Sequence, residues 1–294
     1  MTDHLMPSLI YFAAACLAPF IAAPRLRAFF LLCVPVAAFA SFATAAYGTY
    51  HFLPFFDFNL KIFRLDGLSF IFALIFSIAA FLSLAFAWHI RDRLEQVSSL
   101  VYAGAAIGAV FAGDLVTLFI FWEGTAIASV FLIWARRTPG SLATGMRYIT
   151  FQIASGLLLL IGIVLFYRDS GSVAFAHMEL GSLATWLIFL AFGIKCAFPL
   201  MHNWLQDSYP AATPTGTLTL SVFTTKLAIY ALVRGFAGTE LLIYLGAIMT
   251  IFPVFFAAIE NNLRRVLSYS LNNQLGFMVV GIGIGTPLAL DGTI

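Results

Sequence analysis

Three ionisable side chains lie within stretches that are apolar enough to cross a lipid bilayer. Glu123 lies in LVTLFIFWEGTAIASVFLIW, Lys195 in LATWLIFLAFGIKCAFPL and Lys226 in TGTLTLSVFTTKLAIYALV. A charge at the centre of a bilayer costs roughly 2.5–3.5 kcal/mol on insertion scales, so such residues are rare and mark ion or proton pathways. One acid and two amines at mid-depth therefore predict a proton relay through Glu123, Lys195 and Lys226.

The composition identifies lipid as the surroundings of most of the chain. Of the 294 residues, 62% are hydrophobic and 10% are charged, and the net charge of +2 gives no reason to expect a nucleic-acid partner. A helix needs about 20 apolar residues to cross the hydrocarbon core, and the chain offers about ten such stretches. We therefore predict an all-α integral membrane protein with about ten transmembrane helices. The predicted helices span residues 6–23, 28–48, 67–88, 97–112, 114–135, 145–167, 182–206, 213–234, 240–259 and 265–286.

The Lys and Arg residues of the predicted loops are unevenly divided between the two sides of the membrane. Nine of them follow odd-numbered helices, whereas four, Lys61, Arg64, Arg168 and Arg234, follow even-numbered helices. Loops rich in Lys and Arg stay on the cytoplasmic side. We therefore expect a multi-pass protein of a bacterial inner (plasma) membrane with its N-terminus on the outer side.

Pro199 gives Lys195 a distinctive backbone setting. Proline has no amide hydrogen, so inside a helix the carbonyl four residues earlier, which is that of Lys195, loses its partner. We predict that the seventh helix breaks here and continues through an irregular link. Broken helices at membrane depth mark the ion sites of many transporters. His202 follows Lys195 by seven positions and is a supporting candidate, with a structural histidine as the alternative.

A buried lysine beside a carboxylate is a candidate proton switch. Removal from water favours the neutral amine, whereas a nearby carboxylate favours the ammonium ion. We therefore expect Glu123 to control whether Lys195 holds its proton or passes it through water toward Lys226. Two structural alternatives stay open: a static salt bridge between Glu123 and Lys195, and a Lys226 amine that extends to the membrane surface.

The other polar and thiol groups favour structural roles. The cysteines at positions 16, 33 and 196 lie inside apolar stretches, without the paired spacing of a metal site or a disulfide framework. We therefore predict neither a metal nor a cofactor. Asp114 and Asp207 lie at predicted helix ends and are expected to be solvated helix caps.

A resemblance to a known family is carried by three runs of the sequence. They are GDLVTLFIFWEGTAIASVFLIWARR, FGIKCAFPLMHNWLQDSYPAATPTGTLTLSVFTTKLAIYALVRGF and NNLRRVLSYSLNNQLGFM. These runs resemble the fifth, seventh to eighth and tenth helix regions of the proton-translocating antiporter-like family. That family includes the large membrane subunits of respiratory complex I and the D and A subunits of the multisubunit Mrp sodium/proton antiporter. Within the family the three runs are most similar to the Mrp D type, and the resemblance covers residues 65–288.

The resemblance implies roles for individual residues at the matching positions. Glu123 matches the family's glutamate on the fifth helix, Lys195 the lysine on the broken seventh helix and Lys226 the lysine on the eighth helix. In the family these residues form one proton half-channel, in which the glutamate modulates the lysine. Arg264 and Arg265 match a basic pair before the tenth helix, and we expect them to anchor a loop.

The chain departs from the family pattern in two respects. Many relatives have a histidine six residues before the eighth-helix lysine, where this chain has Leu220. Family members also contain two inverted five-helix repeats. The resemblance implies a single membrane domain truncated at its C-terminus, with N-terminal helices in 1–90, a complete first repeat (helices 4 to 8) in 97–234 and two helices of a second repeat in 240–288. We expect such a chain to hold a gated proton inlet but not a complete crossing; a natural fragment and a subunit completed by another polypeptide both fit.

Three functions are compatible with these features. The first is a proton-conducting subunit of a multisubunit sodium/proton antiporter, which works with other subunits, has no enzyme activity of its own and moves protons, with sodium as the coupled ion. The second is a pumping subunit of a complex I or membrane hydrogenase-like enzyme. The third is a non-conducting structural subunit or fragment whose buried charges only hold helices together. The third function predicts that Glu123→Ala and Lys195→Ala alter assembly but not transport.

Overall fold

The computed structural model describes residues 5–55 and 58–294. These residues form twelve α-helices and one two-stranded antiparallel sheet. The helices are α1 (Pro7–Leu17), α2 (Pro24–Ala43), α3 (Gly67–Phe86), α4 (Arg93–Phe111), α5 (Leu115–Trp134), α6 (Pro139–Ser170), α7 (Leu183–Lys195), α8 (Asn203–Ala211), α9 (Pro214–Phe236), α10 (Leu241–Ile259), α11 (Leu263–Ile284) and α12 (Pro287–Thr293). The strands are β1 (Gly48–Phe55) and β2 (Phe58–Leu65).

Most of the described helices suit a lipid environment. Seven of them, α2, α3, α4, α5, α6, α9 and α10, are long and apolar enough to cross a membrane. Two shorter apolar helices are α7 and α1 with the 3-10 turn that follows it. Helices satisfy their own backbone hydrogen bonds, as a chain in lipid requires. The prediction of a helical, multi-pass membrane protein is confirmed, and every predicted helix overlaps one that the structure describes.

The segment between α2 and α3 departs from the predicted fold. The sequence predicts a helix to residue 48 and then a loop, but α2 ends at Ala43 and β1 and β2 form a hairpin. The strand sequences GTYHFLPF and FNLKIFRL are rich in the aromatic and β-branched residues that suit a pleated surface. The ring of Phe63 packs edge-on against Phe111 of α4, with 4.9 Å between centroids. Because these residues form a paired hairpin, the prediction of a loop here is wrong.

Asp114 closes the turn between α4 and α5. Its carboxylate accepts hydrogen bonds from the backbone N–H (2.7 Å) and the hydroxyl (2.9 Å) of Thr117. It also accepts one from the backbone N–H of Lys61 in β2 (2.6 Å), and the Gly113 N–H donates to the Lys61 carbonyl (2.8 Å). Asp114 is a helix cap, as predicted, but the prediction that it is solvated is wrong because the hairpin buries it.

The described chain divides into two compact units. The first comprises Met1–Arg136, of which residues 5–55 and 58–136 are described, and Thr213–Phe223. The second comprises Arg137–Ala212 and Thr224–Ile294. Helix α9 contributes its first part to the first unit and the rest to the second.

Small residues on α4 position α5 within the first unit. A Cβ at Gly108 would lie 2.5 Å from the ring of Phe121 in α5, and one at Gly104 would lie 2.6 Å from the Cβ of Tyr11 in α1. Close approach at small residues is the usual way in which membrane helices pack. The glycines of α4 therefore allow a close approach to α1 and to α5, which carries Glu123.

In the second unit, α6 holds α7 and α8. A Cβ at Gly162 of α6 would lie 2.7 Å from the side chain of Ile188 in α7, so these helices also approach closely. Helix α6 begins earlier than the predicted residue 145 because Thr138 and Ser141 form a capping box around Pro139. Helix α8 packs between α6 and α11, and α11 packs against α10.

Candidate functional site

Lys195 is the last residue of α7 and is 0% exposed. The helix begins with a capping box between Ser182 and Thr185, so its start is fixed by side chains. Its end is fixed by the backbone. The predicted break of the seventh helix is confirmed: α7 stops at Lys195, and α8 begins only at Asn203.

A Schellman motif closes the end of α7. The backbone N–H of Phe198 donates to the carbonyl of Gly193 (3.0 Å), and that of Ala197 donates to the carbonyl of Ile194 (3.1 Å). These two hydrogen bonds satisfy carbonyls that a helix end otherwise leaves unpaired. The ring of Phe198 lies so close over Gly193 that a Cβ at Gly193 would be 2.4 Å from it. The motif therefore fixes the backbone position of Lys195.

Two non-glycine residues near Pro199 adopt left-handed backbone conformations. Ala197 has φ of 60° and Leu200 has φ of 70°. Such conformations cost of order 1–3 kcal/mol outside glycine and cluster at functional sites. The break at α7 thus stores local strain directly after the buried lysine, while Pro199 itself lies between the two strained residues.

Trp204 fastens α8 to the end of α7. Its indole Nε1–H donates to the carbonyl of Ile194 (2.9 Å), one residue before Lys195. Its ring packs against Tyr148 of α6, with 5.6 Å between centroids. Three elements of the second unit, α6, α7 and α8, therefore meet at the break.

Gln152 of α6 is a polar residue of this region that the sequence reasoning missed. It is 0% exposed, and neither its Oε1 nor its Nε2 has a hydrogen-bond partner among the described residues. It lies on the helix face between Tyr148, which contacts Trp204, and Ser155, whose hydroxyl donates to the Ala191 carbonyl of α7 (2.7 Å). Buried amides without protein partners are the groups that internal water bridges. Its position in the apolar run TFQIASGLLLL is the signal that could have identified it.

Lys226 lies in the part of α9 that belongs to the second unit. Its side chain is half-buried, and its charge is within electrostatic range of the Cys196 thiol, next to Lys195 in the chain. The preceding residue, Thr225, is fully buried, and its hydroxyl has no hydrogen-bond partner among the described residues. The structure therefore brings Lys226 to the same region of the second unit as the end of α7.

Glu123 belongs to the first unit, in the middle of α5. It is half-buried between the fully buried Trp122 and the buried face formed by Thr125 and Ala126. Glu123 and Lys195 belong to different units, so the expected approach of their side chains stays a prediction.

His202 precedes α8 and is buried. Its ring lies edge-on to Phe252 of α10, with 4.8 Å between centroids, and its Nδ1 has no hydrogen-bond partner within the described part of the chain. Because α7 ends at Lys195, the seven-residue spacing does not place His202 and Lys195 on one helix face. His202 is better placed to interact with α10.

Charged residues tie α11 to α8, as the prediction of loop anchors requires. The Arg264 guanidinium donates to the carbonyls of Ala212 (3.1 Å) and Pro210 (3.4 Å). Arg265 forms ion pairs with Asp207 (3.8 Å) and Glu260 (3.7 Å). Asp207 is thus a partner of arginine and not a helix cap.

The contact between Gly193 and Phe198 provides a test of the break. Gly193→Ala would place a Cβ 2.4 Å from the Phe198 ring, too close for a normal contact, and so disrupt the Schellman motif. We expect a loss of about 1–3 kcal/mol of stability, measured as a lower midpoint of thermal unfolding of the purified protein in detergent. Gly140→Ala is the matched control because its Cβ would meet nothing within 4 Å. Equal midpoints for the two variants would contradict the prediction.

Comparisons with known proteins agree with the fold and the sequence pattern. A family model described as NADH:quinone oxidoreductase/Mrp antiporter, transmembrane, matches residues 112–294. The chain is 28% identical over 250 residues to NAD(P)H-quinone oxidoreductase chain 4 1 of Synechococcus sp. (strain JA-3-3Ab), covering 78% of this chain and 47% of that protein. It is 31% identical over 207 residues to the D subunit of the Na(+)/H(+) antiporter of Alkalihalophilus pseudofirmus, covering 64% and 42%. The chain spans about half the length of the curated relatives it matches.

Solved structures share the fold over nearly the whole chain. The Mrp complex from Dietzia sp. DQ12-45-1b matches with a TM-score of 0.84 at 24% identity, covering 98% of this chain and 35% of that one. Respiratory complex I from Thermus thermophilus with bound Aureothin matches with a TM-score of 0.80 at 21% identity, covering 97% and 65%. At these identities the likeness concerns the fold.

Proposed function

Because the chain belongs to the NADH:quinone oxidoreductase/Mrp antiporter transmembrane family, we propose that it conducts protons as one subunit of a multisubunit sodium/proton antiporter. Its partners are the other subunits of that assembly and the lipid bilayer. Protons pass through this chain, and sodium is the ion that the assembly exchanges for them. The proposal needs no cofactor and no enzyme activity in this chain.

The observation that carries the proposal is the fully buried Lys195 at the broken end of α7. The C-terminal end of a helix carries partial negative charge, which stabilises an ammonium group. Burial has the opposite effect, because it removes the charged form from water. With these influences opposed, a change in the surroundings of Lys195 alters whether it holds a proton.

In the proposal the other two ionisable groups complete a relay. Glu123 modulates the charge of Lys195, and Lys226 receives the proton that Lys195 releases. Gln152 and Thr225 are buried, and the polar side-chain atoms of both lack hydrogen-bond partners among the described residues. In the proposal they hold the water molecules that carry the proton between the amines.

The same proposal includes an orientation. The nine Lys and Arg residues that follow odd-numbered predicted helices lie on the cytoplasmic side of a bacterial inner membrane, and the N-terminus lies on the outer side. The β1–β2 hairpin, which carries Lys61 and Arg64, is then also on the outer side.

A second candidate function is a proton-pumping subunit of a complex I-like oxidoreductase. It is favoured by the similarity to NAD(P)H-quinone oxidoreductase chain 4 1 of Synechococcus, which covers more of this chain than the similarity to the antiporter protein of Alkalihalophilus pseudofirmus does. Purification of the chain from its native membrane separates the two functions. Redox subunits with iron–sulfur clusters should co-purify in the second case, and only ion-transport subunits in the first.

The proposed function is tested in inverted membrane vesicles that contain the chain and its cognate subunits. We expect Na⁺ added to energised vesicles to dissipate the pH gradient, read with a pH-sensitive dye. Lys226→Arg should remove most of this response, because a guanidinium stays charged where the relay needs a base. Lys61→Arg, on the exposed surface of the hairpin, makes the same chemical change and should leave the response intact. A normal response in Lys226→Arg would exclude Lys226 from the relay.

A further inference from the structure

Glu95 is a buried carboxylate that the proposed relay does not use. It lies in the first turn of α4, is 4% exposed and belongs to the first unit. Its Oε1 accepts hydrogen bonds from the hydroxyls of Thr213 (2.9 Å) and Thr215 at the start of α9, which belong to the same unit. The carboxylate is therefore held by neutral oxygen groups.

Within the part of the chain that the structure describes, no basic side chain forms an ion pair with Glu95. The neighbouring Arg27 is buried, but its guanidinium donates to the Gln96 side chain (2.6 Å) and to the carbonyls of Arg91 (3.0 Å) and Ile21 (3.3 Å). A buried charge without a counter-charge is strongly unfavourable, so a bound cation would stabilise the Glu95 carboxylate. The positive ends of the α4 and α9 dipoles each supply only part of a charge.

A small cavity of about 20 Å³ adjoins Glu95, and its lining combines apolar side chains with a few polar groups. Its polar lining consists of Ser83, Glu95, Ser99, Thr215 and Thr219, all within the first unit. One water molecule needs roughly 10–15 Å³ of such space, so this cavity accommodates one water molecule or one small ion.

Ser83 indicates that the cavity is a ligand site and not only a helix cap. Its side chain is 6% exposed and lines the cavity, yet its hydroxyl forms no hydrogen bond with the described residues. The hydroxyls of Ser99 and Thr219, by contrast, donate to the carbonyls of Glu95 (2.8 Å) and Thr215 (3.1 Å). Both hydroxyl protons are used in these bonds, so the oxygen lone pairs of Ser99 and Thr219 can accept a hydrogen bond or coordinate a cation.

We propose that Glu95 and the surrounding hydroxyl oxygens bind a small monovalent cation of the Na⁺ class. Carboxylate and hydroxyl oxygens are hard ligands that suit hard cations, and Ca²⁺ takes 6–8 oxygens, usually with several carboxylates. A single carboxylate matches a single positive charge. The site lies in the first unit and shares no residue with Glu123, Lys195 or Lys226, so it stands whether or not the relay does.

The test is equilibrium binding of ²²Na⁺ to the purified full chain in detergent at pH 8. The wild-type protein should bind ²²Na⁺ saturably, with displacement by excess Na⁺ or Li⁺ but not by choline. Glu95→Gln should weaken binding about tenfold or more, as expected for the loss of a charge-assisted contact. Glu179→Gln, at an exposed position, is the matched control and should bind like the wild type.

A second variant keeps the test decisive if Glu95→Gln does not fold. The Ser83 hydroxyl has no hydrogen bond to the described residues, so Ser83→Ala should fold normally while it weakens ²²Na⁺ binding several-fold. An absence of saturable binding in the wild type would overturn the proposal. So would wild-type affinity in both variants, because a cap for α9 or a bound hydronium ion would then explain Glu95.

Discussion

Replacement of Lys195 by alanine is expected to abolish proton-coupled sodium efflux in cells that carry the complete set of subunits. Lys195 is fully buried at the end of α7, where the Schellman motif fixes its backbone. The neighbouring positions Ile194 and Cys196 carry no amine that could replace it. Positioned groups that transfer protons contribute about 10²–10⁴-fold to rates, so we expect efflux to fall by about 100-fold or more. The measurement is the sodium-dependent loss of the pH gradient in inverted vesicles.

The control for Lys195→Ala is Lys61→Ala, which removes an amine from the exposed hairpin. Both variants should reach normal levels in the membrane and co-purify with the other subunits. Efflux at the wild-type rate in Lys195→Ala, at equal protein level, would rule out the relay. Altered assembly with unchanged transport per assembled complex would instead support a purely structural role.

Glu123→Gln is expected to reduce sodium-coupled proton transport to a similar extent. Glutamine has nearly the same shape as glutamate and keeps an oxygen acceptor, but it carries no charge and takes up no proton at neutral pH. Helix α5 packs closely against α4 at Gly108, so this near-isosteric change should leave the first unit folded. The effect on transport then reports the charge of Glu123 and not its packing. Dye-monitored pH gradients in vesicles are again the readout.

Glu179→Gln provides the matched control for this second substitution because Glu179 is exposed. A double variant, Glu123→Gln with Lys195→Ala, should be no worse than the more severe single variant if both residues act in one relay. Full transport in Glu123→Gln would remove the modulating carboxylate from the proposed mechanism and leave Lys195 to act alone.

The helices could be predicted because lipid leaves the chain few alternatives. An apolar stretch of about 20 residues must satisfy its own backbone hydrogen bonds, and a helix does so. The β1–β2 hairpin could not be predicted in this way, since it is stabilised by contacts such as that of Phe63 with Phe111, which are distant in sequence. Asp114 shows the same limit. Its capping role follows from its position, whereas its burial depends on Lys61 in the hairpin.

The break of the helix after Lys195 could be predicted from the sequence, but its local geometry could not. Pro199 predicts a break after Lys195, yet the break is made by the left-handed conformation of Ala197, which alanine rarely adopts. Glu95 could not be identified from the sequence, because a fourth helix that begins at residue 97 leaves this carboxylate in a loop. A shift of four residues in the start of α4, to Arg93, brings it into the protein interior.

The closed end of α7 has a consequence for which part of the molecule moves. The carbonyls of Gly193 and Ile194 are hydrogen-bonded and the Phe198 ring lies over Gly193, so the last turn of α7 is closed by its own backbone. If Lys195 exchanges a proton as proposed, we expect rotations of its flexible four-carbon side chain, and not unwinding of α7, to accommodate the change of charge. Proton transfer in the proposed relay would then need no rigid-body displacement of the helix.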